Sequence, residues 1–97
     1  MKEAQTDLDL LGEFVEMSSD EAFSELVRRH IDFVYSVALR QLRGDAHLAS
    51  DAAQAAFCEL ARNAKKLTGH RTLSGWLYTT TRFVASRMGR SEFRRGA

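Results

Sequence analysis

Proline is absent from the 97 residues, cysteine occurs once, and no apolar run approaches the roughly 18 residues that a membrane-spanning helix needs. Without proline, nothing in the chain forces a helix to stop. Cys58 alone cannot close an internal disulfide, so the fold must hold without staples, and a reducing cytoplasm suits the chain best. The N-terminus has early acidic residues in place of a basic segment and an apolar stretch, which excludes a secretory signal. Catalytic material is equally scarce. No phosphate-cradling Gly-rich loop, nucleophile elbow or paired acid–base carboxylates can be found. His30, His47 and His70 stand far apart, with no cysteine or carboxylate at metal-ligand spacing. The chain is therefore read as a non-enzyme without metal or cofactor. His30, on an apolar face, reads as a core histidine with its hydrogen bonds satisfied.

What is present describes one globular domain. The apolar fraction is 44% and the charged fraction 28%, a composition that folds rather than staying disordered. The net charge of +1 conceals a polarity along the chain. Residues 1–25 hold eight Asp/Glu against one Lys, a balance of −7. Residues 26–61 hold four of each sign, and residues 62–97 hold nine Lys/Arg against Glu92 alone, a balance of +8. This pattern admits a nucleic-acid surface at the C-terminal end, or a solvated basic helix with no specific partner.

The periodicity predicts an all-α bundle of three long helices and a short N-terminal one. The first helix runs over about Thr6 to Met17, with Thr6 as N-cap and Leu8, Leu11, Phe14 and Val15 as its stripe. Ser18-Ser19-Asp20 breaks the pattern and can cap the next helix, predicted over Asp20 to Leu42. Two stripes mark that helix as central: Phe23, Leu26, Val27, His30, Val34, Val37, Ala38 and Gln41, then Ile31, Tyr35, Leu39 and Leu42. Gly44 suits a left-handed helix end and Asp45 the following N-cap.

The third helix, Ala46 to Leu67, is rich in alanine, which permits close approach of two helix backbones. Leu48, Ala52, Ala56, Phe57, Leu60, Ala61 and Ala64 are expected to face inward, and Cys58 to be a small packed side chain. Thr68 to Thr72 reads as a loop. The last helix runs from Leu73 or Ser74 to about Phe93, with Gly89 as a site of fraying. Leu73, Trp76, Leu77, Thr80, Val84 and Met88 form its packing stripe, and Phe83, Arg87, Arg90 and Arg94 a separate basic face.

Four segments, in order and at matching spacing, resemble region 2 of the extracytoplasmic-function (ECF) sigma factors. Ala22-Phe23-Ser24-Glu25-Leu26-Val27-Arg28-Arg29-His30 is similar to that family's opening helix, and Val34-Tyr35-Ser36-Val37-Ala38-Leu39-Arg40 to its continuation. Ala49 to Phe57 parallels an acidic, apolar, any residue, Gln, Glu, apolar, Phe pattern, carried here by Asp51, Gln54 and Phe57. Gly75-Trp76-Leu77-Tyr78, then Thr81-Arg82, resembles the motif that opens the promoter-binding helix. The resemblance spans about residues 20–95. It divides the chain into an acidic leader, 1–19, and a region 2 domain, 20–97. The helix-turn-helix domain that reads the upstream promoter element is not in this chain, which is read as an isolated domain of a longer protein in preference to an unusually truncated one.

The resemblance implies a mechanism. Asp51, Gln54 and Arg40 would meet the clamp coiled coil of the largest subunit of core RNA polymerase, where a carboxylate can pair with clamp arginines. The last helix and the loop before it would open the duplex at the minus-ten element and hold an extruded base of the single-stranded non-template strand. Lys65, Lys66, Arg71, Arg82, Arg87, Arg90 and Arg94 would supply cations, and Thr68, His70 and Thr72 polar groups to read a base edge. Tyr78 and Phe83 are the stacking candidates, while the apolar spacing of Trp76 assigns it to the core. An anti-sigma factor is a further expected partner, with no membrane insertion and a monomer when isolated.

Three positions depart from the family pattern. Ala55 stands where the family has Glu, Phe83 where Asn often follows the motif arginine, and Arg87 where an acidic residue is expected. The promoter sequence preference therefore does not transfer. A duplex-binding helix-turn-helix repressor is the competing reading, and it would need a shorter recognition helix after a tight turn. A bundle that binds only protein is the third.

Overall fold

Three short polar side chains start three of the helices. In the computed structural model, which describes residues 5–69 and 72–96 with side chains through Ser91, the elements are α1 (Asp7–Met17), α2 (Asp20–Gln41), α3 (Ala46–Leu67) and α4 (Leu73–Gly96). The fold is all-α, as the periodicity predicts. Thr6 caps α1 through a reciprocal box: the Asp9 N–H donates to Thr6 Oγ1 and the Thr6 N–H to Asp9 Oδ2, each at 3.1 Å. Ser19 accepts from Ala22 N–H and Asp45 from Leu48 N–H, both also at 3.1 Å. Each cap satisfies a backbone donor that would otherwise lack a partner within the helix.

The end of α2 corrects one expectation. Arg43, not Gly44, takes the first left-handed position (φ 56°), and Gly44 follows in the same region (φ 84°). The Gly44 N–H donates to Leu39 O at 2.9 Å and the Arg43 N–H to Arg40 O at 3.4 Å, the two bonds of a Schellman turn. Register explains the choice. Leu42 is buried and must stay at the cap, so the left-handed residue after it is an arginine.

α3 and α4 pack together and against α2, while α1 lies on α2 and reaches α3. The larger core cluster joins Leu10 and Leu11 of α1 to Leu26 and Val34 of α2, Ala53, Ala56, Phe57 and Leu60 of α3, and Leu73 and Leu77 of α4. Phe14 and Phe23 stack across α1 and α2 with ring centroids 4.7 Å apart. A smaller cluster at the other end consists of Ala38, Leu42, Ala49, Ala52 and Ala85. Small residues there bring the helices close. A Cβ added at Gly89 would lie 3.3 Å from Leu42 Cδ2, so Gly89 marks a close packing point rather than a frayed end. The helix continues past it to Gly96, beyond the predicted stop at Phe93.

The polar anchors of α1 fall on α2. His30 is 8% exposed, and its Nε2 lies 2.8 Å from Asp7 Oδ2, so it is the satisfied core histidine its position suggested. Arg29 donates to Asp7 Oδ1 at 3.3 Å and to Glu25 Oε2 at 3.2 Å. The hydrogen bond to Glu25, and secondarily Asp7, raises the guanidinium pKa further, which keeps this tie charged.

Other expectations shift by one helical position. Cys58 is exposed rather than packed, and so is Ala61. The inner face of α3 comprises Ala49, Ala52, Ala53, Ala56, Phe57, Leu60, Ala64 and Leu67. On α4 the fully covered row is Leu73, Leu77, Thr81 and Ala85, at steps of four, with Thr80 only half-buried. Thr81 is 0% exposed and its Oγ1 makes no hydrogen bond among the described residues. Such a hydroxyl costs on the order of 1–3 kcal/mol relative to a satisfied one.

Two substitutions test these placements by thermal or denaturant unfolding. Arg43→Gly removes the side-chain strain of a left-handed residue and is expected to stabilise by about 0.5–1 kcal/mol. Thr81→Val keeps the volume, removes the unsatisfied hydroxyl and is expected to stabilise by about 1 kcal/mol. A loss of stability in Thr81→Val would show that the hydroxyl has a partner in solution.

Candidate functional site

α3 turns its alanine face inward, and this decides what it shows to solvent. Three residues advance a helix by 300°, so Asp51 and Gln54 lie some 60° apart on its outer side. Both are exposed. Gln54 forms one wall of a groove between α2 and α3, lined also by Phe23, Val27, Ile31, Tyr35, Phe57 and Cys58, with a volume of about 500 Å³. The floor is apolar and Gln54 and Ser50 supply the polar edge. Cys58 follows Gln54 by one turn on the same wall, which is why it is exposed despite its apolar neighbours. Asp51 sits on the ridge beside this groove.

On the other flank of the ridge, α3 and α4 enclose a second groove of about 650 Å³. Ala55 and Glu59 line it from α3, and Trp76, Thr80, Phe83, Val84, Arg87 and Met88 from α4. Glu59 also accepts from Arg62 at 3.0 Å at its exposed rim. Trp76 is half-buried. It packs against the larger core while one edge opens into this groove, so the core role expected of it is only part of its placement.

α4 carries two aromatic–arginine pairs, each at a spacing of four. The Arg82 guanidinium lies 5.7 Å from the Tyr78 ring centroid, and the Arg87 guanidinium 5.7 Å from that of Phe83. Tyr78 is 43% exposed and Phe83 is 61% exposed. Apolar rings left this open to water beside cations are suited to stacking on bases next to phosphates. The five residues from Tyr78 to Phe83 turn the helix by about 140°, so the pairs face different sides. Phe83 and Arg87 belong to the α3–α4 groove, with exposed Arg90 continuing that face. Tyr78 and Arg82 face α2, where Tyr78 lies 6.4 Å from the Phe33 ring and shares a hollow with Arg40.

The structure thus divides residues that the sequence places in one run. Lys65 and Lys66 are exposed in the last turn of α3, at the approach to the loop. Thr68 is exposed and its hydroxyl donates to Lys65 O at 3.0 Å, and Thr72 is exposed directly before α4. His70 and Arg71 lie outside the described residues, as does the Arg94 side chain. From Leu73 to Arg90 the helix rises about 25 Å, so the cations follow a long track instead of a single patch. Arg40 is exposed on α2 beside Tyr78 and Arg82, apart from the groove that Gln54 lines. Phe33, 41% exposed, carries no role in the sequence pattern, although its place outside both apolar stripes of α2 is a signal of exposure.

Comparison with known proteins agrees with this arrangement. Residues 26–95 match the family model for sigma-70 region 2, a span covering most of α2 and all of α3. No curated protein and no solved structure matches the chain. None of the four helices is long and apolar enough, over the described residues, to cross a membrane. The matched span includes both aromatic–arginine pairs and, apart from Phe23, the lining of both grooves, and the chain belongs to the sigma-70 region 2 family, a domain of transcription initiation that binds core RNA polymerase and promoter DNA and is not catalytic.

Proposed function

We propose that this chain is the region 2 domain of an ECF-class sigma factor, docking on the clamp coiled coil of the polymerase largest subunit and opening promoter DNA at the minus-ten element. Residues 20–97 would form that domain and residues 1–19 its acidic leader, and the protein is proposed to act in the cytoplasm. An anti-sigma factor is a further proposed partner, one that would cover the same exposed grooves to silence the domain. The isolated domain is proposed to be a monomer.

One observation carries the polymerase half: an apolar groove runs beside exposed Gln54 and Asp51 on α3. A coiled-coil helix can lay an apolar stripe into such a groove, as amphipathic helices do elsewhere. Asp51 on the ridge then meets clamp cations, which sets orientation and association rate more than raw affinity. Ala55, where the family pattern has Glu, faces the other groove. The missing carboxylate is thus lost from the ridge's far flank, and Asp51 is left as the principal charge.

The α3–α4 groove supports the DNA half. Trp76 and Phe83 provide ring faces, Arg87 and Arg90 phosphate contacts, and the Thr68 and Thr72 hydroxyls flank the loop where a base edge would be read. Arg87 replaces the acidic residue of the family pattern and Phe83 its Asn. Stacking and charge therefore dominate here over hydrogen-bond readout, and sequence selectivity at these two positions should be weak.

Titration against a purified clamp coiled-coil fragment tests the first half. Asp51→Arg is expected to weaken binding at least tenfold without altering thermal stability, because it sets like charges together on an exposed site. Bound clamp should also protect Cys58 from alkylation by a maleimide, since Cys58 lines the proposed groove. Failure of the folded wild type to bind would sink the clamp assignment. For the second half, Phe83→Ala and Arg87→Ala should each weaken binding to single-stranded non-template DNA by roughly 1–3 kcal/mol while stability stays within about 0.5 kcal/mol. Tighter binding to duplex would instead favour a helix-turn-helix repressor.

A further inference from the structure

The hollow between α2 and α4 has a composition that neither the polymerase surface nor the minus-ten groove accounts for. Arg40 reaches it from α2 and Arg82 from α4, with Gln41, Val37 and Tyr78 completing a space of about 240 Å³. No carboxylate lines it, and neither arginine forms a salt bridge among the described residues. Two like charges brought to one concavity repel, and no carboxylate among the described residues pairs with either to relieve this. The Tyr78 ring under Arg82 and the nearby Phe33 ring are both left open to water. Gln41 Nε2 donates one of its two hydrogens to Ser86 Oγ at 2.8 Å. That bond ties α2 to α4 and holds the two arginines on facing walls.

The geometry points to a phosphate-binding subsite for single-stranded DNA, in which Arg40 and Arg82 grip one backbone phosphodiester and the neighbouring base stacks on Tyr78. A phosphate can accept from two guanidinium forks at once, which neutralises the repulsion between them. The adjoining ring selects an unstacked base and hence a single strand over a duplex, whose bases are inaccessible in this way. The inference rests on α4 being the nucleic-acid face, and it extends that face around the helix onto α2. It also moves Arg40 from the polymerase surface to the DNA surface. A strand leaving the Phe83–Arg87 groove would then cross α4 and be held on its far side.

Fluorescence anisotropy with a labelled single-stranded oligonucleotide of mixed sequence, followed from about 20 to 200 mM salt, tests this. Arg40→Ala is expected to weaken binding roughly five- to tenfold at the lowest salt and to reduce the logarithmic salt slope by about 0.7, the loss of one single-strand phosphate contact. Arg40→Lys should keep most of the slope. Tyr78→Ala should lower affinity with little change in slope, because stacking releases no counterion. A matched pull-down of core polymerase should be unchanged by Arg40→Ala. Unaltered oligonucleotide binding and slope in Arg40→Ala would overturn the subsite, and if Arg87→Ala still weakened binding, the α4 reading would stand without it. Loss of polymerase binding in Arg40→Ala, with DNA binding kept, would overturn it in favour of a polymerase contact. Equal affinity for duplex and single strand would remove the stacking component and with it the proposal. Circular dichroism of each variant separates these outcomes from misfolding, which exposed Arg40 and Tyr78 are not expected to cause.

Discussion

The packing of the small inner face of α3 against α2 and α4 is the contact on which the other features depend. Ala49, Ala52, Ala53, Ala56 and Ala64 are all essentially inaccessible, so two neighbouring helices approach where there is almost no side chain to separate them. Close backbones leave little room for large residues between them. Phe23, Val27, Ile31, Tyr35 and Phe57 therefore line the crevice on one flank, and Trp76, Val84 and Met88 that on the other. Both grooves follow from the same cause. The ridge between them carries Asp51, and polarity in the domain is concentrated where the apolar floors meet solvent.

Electrostatics then distributes the work. Among the described residues the ion pairs of α1 run to α2, where Asp7 engages Arg29 and His30, and none joins α1 to α4. Leu10 and Leu11 hold that helix in the main core, so its charge is anchored on the side of the domain it covers. Along α4, Arg82, Arg87 and Arg90 form no ion pair among the described residues. Each of two lies against an aromatic ring, which orients the guanidinium without consuming its charge. A ring and a cation presented together form the unit that binds a nucleotide, since one takes the base face and the other the phosphate.

The departures from the family pattern become coherent in three dimensions. Phe83 and Arg87 fall one turn apart and form one such unit, so the two substitutions act together. Ala55 adds apolar surface to the groove that Phe83 borders. All three changes take a hydrogen-bonding or acidic side chain out of the α3–α4 groove and leave apolar or cationic surface in its place.

Helix number, helix starts and membership of the broad sigma region 2 family were legible in the residues alone. Thr6, Ser19 and Asp45 cap where their short acceptors stand before apolar periodicity, and caps are local interactions that need no knowledge of the partner helix. Motif order identified the family for a similar reason: spacing along a chain survives without coordinates. What could not be read was the direction in which residues at the edge of a stripe face. Cys58 and Ala61 border an inward row yet face solvent, Thr81 rather than Thr80 is the fully covered threonine of α4, and Arg43 takes the first left-handed position because buried Leu42 sets the register. A helix repeats every 3.6 residues, so one step rotates a side chain by 100°, and only the position of a neighbouring helix decides which side of a stripe is covered. The same rotation separates Tyr78 and Arg82 from Phe83 and Arg87. Tertiary packing alone brought Arg40 to the first pair, 38 residues earlier in the chain than Tyr78.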